Sequence, residues 1–121
     1  MNSYSDQIQK ALLAHGAWKQ RLRAAIAEGQ SEYAVSQVRL DDRCDFGKWF
    51  YSLSPSLRTG AEAKAIQSIH AEFHQEASRI LDLALHGQKD EALADLGASG
   101  SYTALSGRLA LALRQWEKTL A

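Results

Sequence analysis

The sequence predicts an all-α fold, an antiparallel four-helix bundle with a short extra helical segment, and three observations lead there. Alanine and leucine dominate, with 20 Ala and 16 Leu against ten β-branched residues, and the single proline is Pro55. That composition favours helix over strand. Helix punctuation divides the chain at Gly29, Ser54-Pro55, Gly87 and the run Gly97-Ala98-Ser99-Gly100-Ser101. Between those breaks apolar residues recur at helical spacing, and no segment sustains strand alternation.

The first helix is expected from about Ser5 to Glu28. Ile8, Leu12, His15, Leu22 and Ile26 fall within a narrow arc of it, Trp18 flanks the arc, and Lys10, Arg21 and Glu28 lie away from it. A second helical piece, about Ser36 to Leu53, holds Cys44-Asp45-Phe46-Gly47-Lys48-Trp49-Phe50. Thr59-Gly60-Ala61-Glu62 has the form of a capping box, in which hydroxyl and carboxylate satisfy each other's free backbone donors. The third helix runs from there to about His86, closed by Gly87 in a position suited to positive φ. Its stripe is Ile66, His70, Phe73, Ala77, Ile80, Leu81 and Ala84, with His74 at the edge. A short helical segment near Asp90–Leu96 precedes a last helix bearing Tyr102, Leu105, Leu109, Leu113, Trp116 and Leu120 on one face. Four helices with one apolar stripe each bury those stripes against one another. At 121 residues the chain is expected to form one domain over its whole length, 1–121, with no internal repeat or linker.

Charge and cysteine content exclude several classes. Fourteen basic residues balance fourteen acidic ones, and the balance is even along the chain. A nucleic-acid binder needs a basic surplus to release counterions, so no nucleic-acid partner is expected. One cysteine makes no internal disulfide, which points to a reducing, cytoplasmic setting. No apolar run approaches about 18 residues. The N-terminus MNSYSDQIQK lacks the core of a signal peptide, so no membrane insertion is expected. The starting methionine fits an intact N-terminus.

Three of the four histidines sit on or beside core-facing stripes, where an unpaired imidazole nitrogen costs about 1–3 kcal/mol. A lone core histidine is usually a hydrogen-bonded structural residue, but here the set matters. His70 and His74 are four apart, so their side chains emerge one above the other. His15 lies at the centre of a second stripe, and Cys44 lies in a third segment among Phe46, Trp49 and Phe50. If these faces converge inside a bundle, three imidazoles and one thiolate make a closed tetrahedral set suited to Zn²⁺. A dication, one thiolate and three neutral rings sum to +1, far cheaper to bury than a bare dication. Residue identities alone leave both the structural and the metal reading open. His86 has no such partner; at a helix end it meets free carbonyls.

The same residues carry a resemblance. His15-x-x-Trp18-Lys19, Cys44-x-Phe46-Gly47-x-Trp49 and His70-x-x-Phe73-His74, separated by 29 and 26 residues, resemble the chemoreceptor zinc-binding domain (CZB) from about residue 8 to 85. The resemblance implies a helical bundle, a homodimer, and zinc held by His15, Cys44, His70 and His74. Such domains accompany bacterial chemoreceptors and diguanylate cyclases, where they report zinc or oxidants such as hypochlorous acid to an output domain. The function expected is therefore that of a zinc-binding sensory domain in chemotaxis-type signal transduction. Its output domain lies in cis on a longer receptor or cyclase, or it acts on a partner in trans.

The aromatics Trp18, Phe46, Trp49, Phe50 and Phe73 are core residues first, with a second role in excluding water around a metal–thiolate bond. Asp41, Asp42 and Asp45 are solvated or near a helix start, or accept an imidazole N–H. Leu13 and Leu111 fall off their stripes and mark candidates for a partner face. A histidine phosphotransfer module would use His86 or His74, but His86-Gly87-Gln88-Lys89 has the wrong order for that motif. No enzyme is expected: a closed ligand set leaves no open coordination position. Cys44 as a nucleophile would also lack an orienting third group and an oxyanion cradle, and the stripes lack the carboxylates of a di-iron site.

Overall fold

The computed structural model describes residues 3–120. They form seven α-helices and no strand: α1 (Ser3–Glu28), α2 (Val35–Val38), α3 (Asp45–Ser52), α4 (Pro55–Arg58), α5 (Ala61–Leu85), α6 (Lys89–Leu96) and α7 (Ser101–Leu120). The all-α helical bundle expected from the composition is the fold observed. None of these helices is long and apolar enough to cross a membrane.

Side-chain pairings fix the directions of the helices. Ser5 at the start of α1 meets Glu117 near the end of α7, while Tyr102 at the start of α7 reaches the carbonyl of His15. These two helices are therefore antiparallel. α5 is antiparallel to α7 as well, with Phe73 beside Tyr102 and Ala61 sharing a surface groove with Ala112 and Gln115. α1 and α5 consequently run the same way, and residues 29–60 carry the chain back between them. Along α5 this return pairs Val38 with His74 and Cys44 with His70. The bundle is up, down, up, down, with α6 turning the last corner.

That descending leg departs from expectation. The continuous helix predicted over Ser36 to Leu53 is two short helices, α2 and α3, separated by a non-helical stretch that ends at Cys44. Cys44 is extended (φ −81°, ψ 161°) and is the N-cap of α3. Asp41 and Asp42 favour such a turn because their side chains compete with helical backbone bonding. The close approach of the Asp41 carbonyl to Gly47 folds the turn tightly onto α3; a Cβ at 47 would overlap that backbone oxygen.

The capping box also fails. Thr59 is the C-cap of α4, and Gly60, with no side chain to cap with, precedes α5. Pro55 at the first turn of α4 starts a new short helix, leaving no room for Thr59 to begin the next. The close of α5 matches expectation. Gly87 has φ +76°, its N–H bonds Ala84, and the N–H of Gln88 bonds Leu83, the paired bonds of a Schellman ending.

The core is the meeting of the stripes. Ile8, Leu22, Ile26, Ile66, Phe73, Ala77, Ile80, Leu81, Ala84, Tyr102, Leu109, Leu113 and Trp116 are buried, while Leu12, Leu105 and Leu120 are half-buried. Phe50 and Trp49 of α3 pack against Trp116 of α7, sealing one end beneath the return leg. Leu13 and Leu111 are exposed, as is Leu93.

Candidate metal centre

His15, His70 and His74 are buried at 5%, 2% and 2% exposure in the middle of this apolar core, and Cys44 is half-buried beside them. His74, placed at the stripe edge from sequence, is as deep as His70. One ligand atom from each of the four residues lies within 4.8 Å of every other, a grouping that could hold a metal ion. The Nε2 atom of His70 is central: 3.1 Å from His15 Nε2, 3.0 Å from His74 Nε2 and 3.4 Å from Cys44 Sγ. A tetrahedral zinc ion holds its nitrogen and sulfur ligands about 3.3–3.6 Å apart.

These short separations cannot all be hydrogen bonds. His15 Nδ1 lies 2.8 Å from the Ala11 carbonyl and His74 Nδ1 lies 2.9 Å from the Val38 carbonyl. A carbonyl only accepts, so each Nδ1 carries the hydrogen and each neutral ring presents a bare lone pair at Nε2. Both lone pairs face His70 Nε2, which has one position for a proton. If that nitrogen donates, it serves one neighbour; if Cys44 donates to it, three imidazole lone pairs converge. In either arrangement lone pairs oppose one another, and a cation at their focus removes the conflict. The donor set therefore fits a borderline-soft ion, and its +1 sum with zinc suits an interior.

Protonating the rings does not resolve the conflict. Burial, reinforced by the His74 charge, lowers His15 to about 4 against the pull of the Ala11 carbonyl. Burial lowers His70 to about 2, with His74 and His15 adding to it, and burial lowers His74 as well. Burial pushes the Cys44 thiol up, while the N–H groups of Gly47 and Phe46 pull it down. The Gly47 N–H donates to Cys44 Sγ at 3.3 Å, so the sulfur occupies the capping position at the start of α3, where a thiolate is favoured.

Aromatic rings enclose the cluster. Phe46 and Phe73 stand edge-on to His15 at 5.9 and 5.1 Å, and Phe46 also contacts His70. Trp18 packs against Tyr33 in a tilted arrangement, 5.1 Å between ring centroids. None of the three aspartates flanking Cys44 receives an imidazole N–H; Asp41 instead accepts from Tyr51 at 2.7 Å. The carbonyls of Ala11 and Val38 take that role, and residue identity carries no signal for it because every residue has a carbonyl. His86 lies apart, exposed, its Nδ1–H donated to the Asp82 carbonyl at 2.8 Å.

Fold and site define a helical-bundle domain whose interior gathers three histidines and one cysteine able to take a metal ion. The chain belongs to the chemoreceptor zinc-binding domain family: the family model, CZB, matches residues 15–81, a span containing all four of these residues. Comparison with curated proteins finds no match, and comparison with solved structures finds none.

Proposed function

We propose that the chain binds one zinc ion through His15, Cys44, His70 and His74 and serves as a zinc- or oxidant-responsive sensory domain. The observation that carries this reading is the convergence of Nε2 atoms from three buried imidazoles beside a thiol, two of them presenting lone pairs. Bound zinc would keep Cys44 as the thiolate at neutral pH. The Ala11 and Val38 carbonyls orient the rings, and Phe46 and Phe73 exclude water around them. Cys44 is the one oxidisable member of the set, half-buried at the start of α3 and so reachable. With hypochlorous acid, the thiolate attacks the chlorine, the O–Cl bond breaks and hydroxide leaves; water then hydrolyses the sulfenyl chloride to sulfenic acid, chloride and a proton. Sulfenic acid is a poorer ligand, so Cys44 then leaves the set and frees the turn that ends at α3.

The family reading extends this to a cytoplasmic homodimer that signals to an output domain in cis or a partner in trans; gel filtration and pull-down test those two steps. Burial of His74 counts against a phosphotransfer role for that residue. The zinc reading is tested by metal analysis of purified protein with chelator, peroxide and hypochlorous acid titrations in parallel. About one zinc per chain, released by chelator and by hypochlorous acid, is expected. Protein that takes up no zinc even after incubation with it overturns the reading.

A further inference from the structure

A cavity of about 320 Å³ opens beside the cluster, between α1 and the return leg. His15, Cys44 and His74 form one side of it. Trp18, Tyr33 and Phe46 supply flat apolar walls, joined by Ala14, Ala34 and Val38. Volume and lining match sites that enclose a small organic molecule.

Arg21 and Arg43 also line this space. The Arg21 guanidinium lies over the rings of Trp18 and Tyr33, 5.0 and 5.3 Å from their centroids. It is half-buried, and no carboxylate among the described residues pairs with it. Arg43 is mostly exposed and pairs loosely with Asp42 at 3.6 Å. Asp45 also borders the cavity, exposed to solvent. Arginine presents a planar fork that matches a carboxylate, and a cation–π contact holds the fork without using its donors. Partly buried and without a counter-ion among the described residues, Arg21 is a ready receptor for one.

We propose that this cavity binds a small aromatic monocarboxylate. Its carboxylate meets Arg21, its ring lies in the cavity that Trp18, Tyr33 and Phe46 line, and its body covers Cys44. The occupant is fixed by charge and shape together: an anionic head for the unpaired guanidinium, and a flat apolar body for the three aromatic walls. A ligand so placed controls which solutes reach the sulfur, a means of tuning the thiol that is separate from the metal.

The test uses the full chain as purified, with its zinc content measured on each sample, and phenylacetate as probe. Amide chemical shifts should move saturably in residues 14–21, 33–38 and 43–46, with a Kd of about 0.1–1 mM. Neutral phenylacetamide should bind at least about tenfold more weakly, and Arg21→Met should weaken phenylacetate by a similar factor. Saturating phenylacetate should slow modification of Cys44 by N-ethylmaleimide at least about twofold. If Arg21→Met fails to fold by circular dichroism, the phenylacetamide comparison on the unaltered chain decides. Absence of saturable shifts up to about 10 mM, equal binding of the amide, or an unchanged labelling rate each overturns the site. Because zinc is counted separately, a zinc-loaded sample that ignores phenylacetate overturns this site alone.

Discussion

The Nδ1–H of His74 donates to the main-chain carbonyl of Val38 at 2.9 Å, tying a cluster imidazole on α5 to the last residue of α2. A four-residue helix has no stability of its own. α2 is held by burial of the Val38 side chain and by this bond. With zinc bound as proposed, its removal should free the ring to turn, so chelation should raise hydrogen exchange at the amides of Val38, Arg39 and Leu40 by about tenfold. Leu81 and Ala84, deep in α5, should stay protected. Mass-spectrometric exchange with and without chelator measures both, and equal change in the two regions contradicts the coupling.

Cys44 and His86 make a matched pair of substitutions. Cys44→Ser removes a sulfur 3.4 Å from His70 Nε2 and should lower zinc affinity at least about a hundredfold. His86→Ala removes an exposed ring bonded to its own helix and should leave affinity unchanged, with stability altered by less than about 0.5 kcal/mol. Competition with a chromophoric chelator gives both values; comparable losses would refute the ligand assignment.

Two glycines should respond in opposite directions to alanine. At Gly47 the new Cβ would overlap the Asp41 backbone carbonyl, which cannot move without opening the turn that presents Cys44. Gly47→Ala should cost about 1–3 kcal/mol and weaken zinc binding. Gly107 is an exposed position inside α7 with nothing near the added methyl. Gly107→Ala should stabilise by about 0.5–1 kcal/mol, since glycine weakens a helix interior. Thermal melts of the two variants decide.

A polar bracket ties α5, α6 and α7 together. Arg79 bonds Glu76 and Asp95 at 2.6 Å each, and Ser101 donates to Glu76. The Arg79 hydrogen bond holds Glu76 below its ordinary value, against the effect of burial and with help from Ser101. A carboxylate depressed in the folded state adds stability above its unfolded value of 4.5, and loses it as pH falls through the folded value. Glu76→Gln should therefore melt about 2–5 °C below the unaltered chain at pH 7. That gap should narrow once the pH falls well below 4.5. A gap that persists in acid would mean packing, not charge, holds the bracket.

Much of this architecture is readable from residue spacing. Ile66, His70, Phe73, Ala77, Ile80 and Ala84 recur at helical intervals and are all buried, because burial of one face is what stabilises a helix of that length. Gly87 ends α5 where its missing Cβ permits φ +76°. The break between α2 and α3 was not readable in this way. Phe46, Trp49 and Phe50 carry a helical period, but the turn before them is set by the Asp41 carbonyl against Gly47 and by the Cys44 sulfur accepting from the Gly47 N–H. The second of these contacts is local and the first spans six residues, and neither has a periodic signature. Thr59 failed as a cap for a related reason: Pro55 starts a helix that already uses Thr59 as its end.

By itself the sequence determined the all-α class, the helix faces and the four residues able to form a metal-binding set, since side-chain chemistry and helical period act over neighbouring positions. Only the tertiary structure decided that these four meet. His15 and His70 are 55 residues apart, and their Nε2 atoms close to 3.1 Å because α1 and α5 run the same way with the return leg between them. Tertiary structure alone also decided the ring orientations, through the backbone carbonyls of Ala11 and Val38. It likewise left the Arg21 guanidinium over Trp18 and Tyr33 with no carboxylate partner among the described residues. Convergence, tautomer and an unmatched charge are properties of neighbours in space, and helical period reports only on neighbours in sequence.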